Sequence, residues 1–361
     1  MRQELGLDVR QVTLAEMEFQ DSYFAVPLAD SLCAHARKRC PMNPFVVIIV
    51  LNWRKPIETL ACLESLSHIT YPETQIVVVD NGSGDDSVAM IRTGFPQAEI
   101  LETGTNLGYA GGNNVGVRYA LAAGGDSICI LNNDVVVEPA FLGPLLAALQ
   151  AQPDVGIVTP LVAEQSDSGY IWALGSAVNW RTAEISRLHI GEAVVAWRQR
   201  EPFEVEIASG AAMLVKREVF ERAGLMDEDF FLYYEEVDWC LKVRQAGYRI
   251  LAVPSSVVWH KVSATLGATS PVIDYYMLRN HLRLIGRHWR GIDRWRVLAT
   301  TVMRNLITVA AYSVKSHHGK RIPSRDARLL ALRDAALRRS GKQEGVLRQI
   351  AGHPLWWTMQ A

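Results

Sequence analysis

Runs of consecutive apolar residues recur at regular intervals in the first third of the chain. Four of them are rich in β-branched side chains and cover residues 45–53, 75–81, 98–104 and 127–135. A strand buried on both faces has this continuous apolar pattern, so each run predicts a strand of a covered sheet. Helical patterns follow the runs, from Pro56 onward and over 83–93, 113–123 and 139–150, and the glycine-containing stretch 108–112 predicts a flexible loop. This alternation predicts an α/β fold with a mostly parallel sheet and helices on both faces.

The pattern changes after about residue 150. Short strand-like runs separated by polar loops occupy 155–215, and helical patterns return at 217–223 and 236–246. From Asp274 onward the sequence is helical and basic. We therefore expect three parts, which are an N-terminal extension of unknown role (1–43), an α/β domain (44–270) and a helical basic C-terminal segment (271–361).

The distribution of charge supports that division. The whole chain has a formal net charge of −1, which argues against a nucleic-acid-binding protein. Residues 1–278 contain 20 Lys and Arg against 34 Asp and Glu, whereas residues 279–349 contain 17 against 4. The basic segment predicts either a solvated helical surface or a contact with anionic lipid head groups or a phosphorylated partner.

Two features of the basic segment bear on that choice. Four arginines follow helical spacing and can line one face, namely Arg279, Arg283, Arg287 and Arg290. The apolar stretch 297–314 follows, but Arg304 and Asn305 lie near its centre, so it predicts an amphipathic helix rather than a membrane span. Such a helix lies in a bilayer interface, packs on the α/β domain, or packs on a second copy of the chain in a homodimer.

The cysteines and the N-terminus indicate the compartment. The five cysteines are scattered, and none has the spacing of a zinc site, so a reducing environment is the simpler interpretation. The first residues lack the apolar core of a secretory signal. We expect a cytoplasmic protein, peripheral at the inner face of the membrane if the basic segment contacts lipid.

Polar residues stand where the predicted strands end, and parallel sheets bind ligands outside those ends. Asp80 could accept a hydrogen bond from the imide of a pyrimidine base, or could cap the turn that follows it. Asp134 follows two asparagines, Asn132 and Asn133, and a single carboxylate there suits Mg²⁺ that already carries phosphate oxygens. A simple strand-end turn is the alternative.

Three further segments carry candidate chemistry. The glycines of 106–114 permit close backbone approach to a ligand, and a helix from Asn113 would direct N–H groups at an anion, although the stretch matches neither a dinucleotide nor a P-loop motif. Glu235, Glu236 and Asp238 are crowded, which raises at least one pKa toward the range of a general base; alternatively they favour a helix N-terminus. His260, at a probable strand end, is by itself more typical of a structural histidine.

Taken in order, these segments resemble a known family. The motifs are VVIIVLNW, VVVDNGSGD, NLGYAGGNNVG, ILNNDV, the stretch from SGAAMLV to YYEEVDWCLKVRQAGY, VWHKVSAT and YYMLRNHLRLI, and they span residues 44–290. Together they are similar to family-2 glycosyltransferases of the GT-A fold, in the rhamnosyltransferase-like branch. The resemblance implies an inverting transfer of a sugar from a nucleotide diphosphate to a hydroxyl of a glycan, lipid-linked or small-molecule acceptor, with Mg²⁺ or Mn²⁺ as cofactor. The branch favours dTDP-L-rhamnose as donor, with UDP- and GDP-sugars as alternatives.

The resemblance also implies roles for individual residues. The nucleotide-sugar site would include Asn52, Trp53, Asp80, Asn81, Asn106, Gly111, Gly112, Asn113, Asn133 and Asp134. Asp134 is the last position of the DxD motif, which is here Asn-Asn-Asp, and it would bind the metal with His260. Glu235 and Glu236 match the family's Glu-Asp pair, whose second acid is the base, and Asp238 is a rival for that role.

Two other classes of protein are alternatives to an active transferase. The altered DxD motif would suit a GT-A-fold protein that has lost catalysis and serves as a nucleotide-sugar-binding or scaffold protein. A nucleotidyltransferase is disfavoured, because the stretch LNWRKPIETL after the first strand has no glycine-rich signature loop.

Overall fold

The computed structural model of the chain describes residues 43–166, 169–261, 270–314 and 321–346. The predicted N-terminal extension lies outside these residues apart from Asn43. The strands are β1 (Val46–Asn52), β2 (Thr74–Asp80), β3 (Glu99–Glu102), β4 (Ser127–Asn132), β5 (Val135–Val137), β6 (Val155–Glu164), β7 (Ile171–Ala173), β8 (Ser176–Asn179), β9 (Glu184–Arg187), β10 (Phe203–Val205), β11 (Ala212–Lys216) and β12 (Arg249–His260). The helices are α1 (Pro56–Ser67), α2 (Ser87–Gly94), α3 (Gly108–Ala122), α4 (Leu142–Ala151), α5 (Val194–Trp197), α6 (Arg217–Ala223), α7 (Glu235–Gln245), α8 (Pro271–His288), α9 (Gly291–Val314) and α10 (Arg321–Ala336).

A ten-stranded mixed sheet organises the chain, with β10-β12-β6-β11-β4-β1-β2-β3 as its main path. The pairs β1–β2, β1–β4, β2–β3 and β6–β12 are parallel, whereas β11 runs antiparallel to both of its neighbours. β8 and β9 form a separate hairpin. The predicted α/β fold with a mostly parallel sheet is therefore confirmed.

The first strand shows why the apolar runs are continuous. Val47 and Ile49 contribute to the core on one face of the sheet, and Val46, Ile48 and Val50 contribute to the core on the other. All five are fully buried. Successive side chains of a strand point to opposite faces, so a strand that is covered by helices on both sides must be apolar at every position.

The strand register brings the polar strand ends together. Asn52 pairs with Asp80 across β1 and β2, Leu51 pairs with Asn132 across β1 and β4, and Asp80 pairs with Glu102 across β2 and β3. Because these four strands are parallel, their carboxyl ends lie at one edge of the sheet. That edge carries the candidate site.

The glycine-containing stretch after β3 is helical, so the predicted loop over 108–112 is wrong. Helix α3 begins at Gly108 and not near Asn113. A Cβ on Gly112 would lie 2.4 Å from the Cδ1 of Leu51, and one on Gly116 would lie 2.5 Å from the Cγ2 of Ile49. Glycine here brings the helix close to β1, and the packing outweighs the low helix propensity of glycine.

Helix α8 packs on the α/β domain. Leu284 and Ile285 are fully buried and belong to the core beneath the sheet. Its basic side chains bind acids of the segment 227–238, in the pairs Arg283–Asp229, Arg287–Asp227, Arg287–Asp238 and His288–Asp238. The interpretation of the arginine row as solvated or lipid-facing is therefore wrong for Arg283 and Arg287, and for Arg279, which is 2% exposed.

Helix α9 is mostly exposed. Val297 and Thr301 form its buried face, and Leu298 and Val302 beside them also pack on the core. Among the described residues, α9 is the one helix long and apolar enough to cross a membrane by length and composition. Its exposed apolar side chains lie away from the buried face.

Candidate active site

The carboxylate of Asp80, the last residue of β2, joins the ends of β1 and β2. Its Oδ1 accepts hydrogen bonds from the Nδ2 of Asn52 (2.7 Å) and the Oγ of Ser83 (2.5 Å), and its Oδ2 accepts from the backbone N–H of Ser83 (3.0 Å). The last contact caps the turn after β2, which is the role that the sequence analysis gave as the alternative to base recognition. These contacts fix the orientation of a carboxylate that is only 3% exposed, and the partly exposed Trp53 follows Asn52 at the end of β1.

Asparagine amides join the neighbouring loops of the site. The Nδ2 of Asn81 donates to the carbonyl of Gly108 (3.0 Å) and to the Oδ1 of Asn106 (3.3 Å), and its Oδ1 accepts from the backbone N–H of Leu107 (3.0 Å). The Nδ2 of Asn133 donates to the Oγ1 of Thr59 at 2.9 Å. Asn81, Asn106 and Asn133 are therefore framework residues of the site.

Close packing shapes the first turns of α3. Gly108 has a φ of +76°, and a Cβ there would lie 2.1 Å from the carbonyl oxygen of Phe231. A Cβ on Gly111 would lie 2.6 Å from the Cβ of Leu107. The backbone N–H of Tyr109 donates to the same Phe231 carbonyl at 2.9 Å. The start of α3 thus rests directly on the loop that precedes the acid pair.

Asp134 and His260 face each other across the pairing of β5 and β12. The Nε2 of His260 lies 3.0 Å from the Oδ1 of Asp134, yet Oδ1 is buried and has no hydrogen-bond partner, so the two groups are close without the alignment of a hydrogen bond. The ring of Trp172 packs edge-on against His260 with 4.7 Å between ring centroids.

These two side chains fit a divalent cation. A carboxylate oxygen without a partner and an imidazole nitrogen beside it are the ligand types that Mg²⁺ and Mn²⁺ accept, and such cations in phosphate sites take few protein ligands. Among the described residues, no group of three His, Cys, Asp or Glu side chains could hold a metal alone. Phosphate oxygens of a ligand would have to complete the coordination.

The loop before α7 has an unusual backbone. Phe231, Tyr233 and Tyr234 have φ angles of 64°, 67° and 73°. Each such left-handed, non-glycine conformation costs roughly 1–3 kcal/mol and persists only where the surroundings enforce it. The last of these residues directly precedes Glu235, so the strained loop sets the position of the acids.

The two acids differ in burial. Glu235 is 3% exposed, and its Oε2 has no hydrogen-bond partner. Burial and then the charge of Glu236 raise the pKa of Glu235 well above its usual range. Burial also raises the pKa of the partly exposed Glu236. A carboxylate with a raised pKa is a stronger base, and Glu236 is the one of the pair that solvent can reach.

Tyr109 connects the acid pair to the glycine helix. Its hydroxyl donates to the carbonyl of Gly210 at 2.6 Å. A Cβ on Gly210 would lie 3.4 Å from the Cγ of Glu236 and 3.7 Å from the hydroxyl of Tyr109. The next residue, Ala211, accepts the backbone N–H of Asn132. The acid pair, α3 and the Asn-Asn-Asp turn therefore belong to one site.

Asp238 points away from this arrangement. It is fully buried, its Oδ2 accepts from Arg287 at 2.9 Å, and its Oδ1 lies 2.8 Å from the Nε2 of His288. Both oxygens are occupied by cationic or N–H groups of α8, so the contacts of Asp238 attach that helix. They leave no free oxygen for a proton from a substrate.

Nine buried side-chain atoms of the described residues have no hydrogen-bond partner, and four of them belong to predicted site residues. These four are Asn113 Oδ1, Asp134 Oδ1, Glu235 Oε2 and His260 Nδ1. Unpartnered buried polar atoms are rare in proteins and call for an explanation, which a bound ligand can supply.

Sequence reasoning did not single out several residues of the site. Trp172 had no signal. Tyr109 and Gly210 lie inside the quoted motifs but had no role, because their contacts join segments that are distant in sequence. Asn280 lies inside the motif YYMLRNHLRLI without a role, and Arg279 was expected only as part of the exposed arginine row.

Comparisons with known proteins agree with the geometry. The model of a family described as "Glycosyltransferase like family 2" matches residues 43–271. An N-acetylglucosaminyl-diphospho-decaprenol L-rhamnosyltransferase of Mycobacterium tuberculosis is 27% identical over 288 residues, which cover 72% of this chain and 91% of the relative. A dTDP-rhamnosyl transferase of Shigella flexneri is 23% identical over 258 residues, or 68% of this chain and 82% of the relative.

The fold has solved counterparts. A mannosyltransferase from Pyrobaculum calidifontis, in complex with GDP-Man and Mn²⁺, superposes with a TM-score of 0.50 at 20% identity, covering 89% of this chain and 85% of that chain. At this identity the likeness concerns the fold.

Proposed function

The chain belongs to glycosyltransferase family 2, and on that basis we propose that it transfers a sugar with inversion from a nucleotide diphosphate to an acceptor hydroxyl, with Glu236 as the base. The observation that carries the proposal is the acid pair, in which a buried Glu235 stands beside a reachable Glu236 whose pKa burial raises. A scaffold protein would have no need for two adjacent acids at the end of a strained loop.

The reaction needs one proton transfer to this chain. The acceptor hydroxyl loses its proton to the Glu236 carboxylate while its oxygen attacks the anomeric carbon, and the bond from that carbon to the nucleotide diphosphate breaks. Attack from the side opposite the leaving group inverts the anomeric centre. A positioned general base contributes roughly 10²–10⁴-fold to the rate. Burial and the charge of Glu236 raise the pKa of Glu235 the more strongly, so Glu236 is the member of the pair that ionises first.

We assign the donor to the edge formed by β1, β2, β4 and α3. The Oδ2 of Asp80, which accepts a single hydrogen bond within the chain, would accept the imide N–H of the base as a second one, next to Asn52 and Trp53. The start of α3, including Gly111 and Gly112, would face the diphosphate, where N–H groups favour anions. The unpartnered Oδ1 of Asn113 would accept a sugar or ribose hydroxyl.

The metal site is assigned to Asp134 and His260. A bound Mg²⁺ or Mn²⁺ would neutralise the charge that the diphosphate gains as it leaves, which is worth several kcal/mol. The unpartnered Oδ1 of Asp134 supports this assignment and favours a working enzyme despite the loss of the first acid of the motif.

The names of two relatives suggest a donor and an acceptor for this chain. Two of them are named as rhamnosyl transferases, one with dTDP-rhamnose in its name and one with a lipid-linked diphosphate acceptor. We propose dTDP-L-rhamnose as the donor here, with UDP- and GDP-sugars as alternatives, and a lipid-linked saccharide as the acceptor. A cytoplasmic enzyme at the inner face of the membrane would meet both substrates.

The experiment measures sugar transfer and donor hydrolysis with a panel of nucleotide sugars in the presence of Mn²⁺. Glu236→Gln should lose about 10²–10⁴-fold in turnover while donor affinity changes little, because the base is removed at nearly constant volume. Glu218→Gln, an exposed glutamate on α6, is the matched control. If Glu236→Gln keeps more than about a tenth of the rate, the base lies elsewhere; if the unmodified chain binds donor but shows no turnover, the scaffold alternative holds.

The membrane surface is proposed as a further partner, through α9. The exposed large apolar side chains of α9 lie away from Val297 and Thr301, and they are Ile292, Trp295, Met303, Leu306, Ile307 and Val314. A helical stripe of this kind can lie in a bilayer interface. The exposed Arg290 and Arg296 lie at the start of the helix, where they can meet anionic head groups, each worth about 1 kcal/mol.

Vesicle flotation tests the membrane contact. The chain should float with vesicles that contain phosphatidylglycerol, less with phosphatidylcholine alone, and less again as salt rises from 0.1 to 0.5 M. The double variant Met303→Ser with Ile307→Ser should lose flotation, whereas Val195→Ser, an exposed apolar residue on α5, should not. Absence of flotation together with a concentration-dependent dimer that the double variant abolishes would assign the stripe to a homodimer interface instead.

A further inference from the structure

The loop that presents the acids is held by two side chains from α8. Asn280 is fully buried, and its Nδ2 lies within hydrogen-bond distance of three backbone carbonyls, those of Phe230 (2.9 Å), Leu232 (2.8 Å) and Tyr233 (2.9 Å). These carbonyls flank the left-handed residues of the loop. The side-chain amide of Asn280 therefore contacts the loop backbone at three positions, each next to or within its left-handed residues.

Arg279 completes the contact. Its Nη2 donates to the carbonyl of Phe230 at 2.8 Å and to that of Asp229 at 3.3 Å, and its Nε donates to the Oδ1 of Asn280 at 2.9 Å. Because Arg279 Nε binds the Oδ1 of Asn280, the amide is oriented with its Nδ2 toward the loop. The Nη1 of Arg279 donates to the carbonyl of Gly341 at 2.7 Å, beyond α10.

Another carbonyl of the same loop contacts the donor side of the site. The carbonyl of Phe231 accepts a hydrogen bond from the N–H of Tyr109 at the start of α3. A small shift of the loop would move Glu236 relative to the glycine helix. The side chains that fix the loop are thus placed to control the distance between base and donor.

We propose that Asn280 and Arg279 are positioning residues of the glycosyl-transfer reaction, which hold the left-handed loop 230–234 so that Glu236 reaches the acceptor hydroxyl. The proposal rests on the assignment of Glu236 as the base. It gives α8 a role in catalysis that is distinct from attachment of the C-terminal helices.

The test compares Asn280→Ala with Tyr275→Phe in the full-length chain. Tyr275 lies on the same helix, is fully buried, and donates its hydroxyl to Asp334 of α10 without bonding to the loop. Asn280→Ala should lower kcat by about 10²-fold, as expected for a misplaced catalytic group, while the donor Kd stays within about twofold. The pH at half-maximal rate should also move, because the environment of the acid pair changes. Tyr275→Phe should leave kcat and the pH at half-maximal rate unchanged, even if its melting temperature falls.

A milder variant covers the case in which Asn280→Ala does not fold. Arg279→Lys keeps a donor for the Phe230 carbonyl but loses the forked contact, and it should lose roughly 10-fold in kcat with the donor Kd unchanged. Wild-type kcat and pH midpoint in either folded variant would overturn the positioning role. If Glu236→Gln is inactive in the same assays, that result refutes the inference alone; if Glu236→Gln is active, the proposed base itself is refuted.

Discussion

Replacing the buried acid Glu235 with glutamine should raise the stability of the protein and lower its activity. The substitution keeps the shape of the side chain but removes a carboxylate that is 3% exposed and has one oxygen without a partner. A buried polar atom without a partner costs roughly 1–3 kcal/mol, and a charged one costs more. Glu235→Gln should therefore stabilise the folded chain by at least about 1 kcal/mol at alkaline pH.

The sign of the pH dependence follows from the raised pKa of Glu235. Between its ordinary value of 4.5 and the raised folded value, the folded chain holds a proton that the unfolded chain has released. The free energy of unfolding of the unmodified protein therefore falls as pH rises through this window. Glutamine does not titrate, so the advantage of Glu235→Gln should be small near pH 5 and larger near pH 8.

Urea unfolding at both pH values measures the effect. The midpoint should rise at pH 8 with an unchanged m-value, and the melting temperature should rise by roughly 2–4 °C for each kcal/mol. Turnover should fall, because the substitution changes the surroundings of the adjacent base Glu236. The exposed Glu218→Gln is the control. Equal stabilisation at pH 5 and pH 8, or destabilisation at pH 8, would refute the account of Glu235 as a buried, uncompensated acid.

Three further predictions concern the donor site and the base. Asp134→Asn should abolish the Mn²⁺-dependent part of nucleotide affinity in calorimetry, and an unchanged affinity would refute the metal assignment. Gly112→Ala, whose Cβ would lie 2.4 Å from Leu51, should cost about 1–3 kcal/mol of stability and weaken donor binding, whereas Gly143→Ala, with open space around it, should do neither. The rate of transfer should rise with pH through a midpoint above 4.5, because burial raises the pKa of the base and the base must be ionised; a midpoint at or below 4.5 would contradict Glu236 in that role.

The strands of the sheet could be predicted because the apolar run that marks each one lies within the strand itself. The predicted run 45–53 corresponds to β1, and 75–81 to β2, each within one residue at either end. The helical start of α3 could not be predicted, because the low helix propensity of the three glycines in 108–112 predicts a loop, while contact of α3 with Leu51 and Ile49 decides the structure. A contact with a strand about 60 residues away leaves no mark on local periodicity.

The roles of charged residues were the least predictable. The spacing of Arg279, Arg283 and Arg287 correctly indicates one helix face, but the acids that Arg283 and Arg287 meet, and the loop carbonyls that Arg279 meets, lie about 50 residues earlier. Glu236 and Asp238 were rivals on sequence alone, since both are acids in the same turn. Only the tertiary contacts of α8 separate them, because they occupy both oxygens of Asp238 and leave Glu236 uncovered.

The contact between Arg279 and Gly341 has a consequence for biosynthesis. The acids at 235–236 are made about a hundred residues before Gly341, and at 5–20 residues per second roughly 5–20 s pass between the two events. Until α8 and the stretch that follows α10 have left the ribosome, Asn280 and Arg279 cannot hold the acid loop in its left-handed form. A nascent chain would therefore bind nucleotide sugar at the completed sheet edge before it could consume any, and activity would begin only after that stretch has been made.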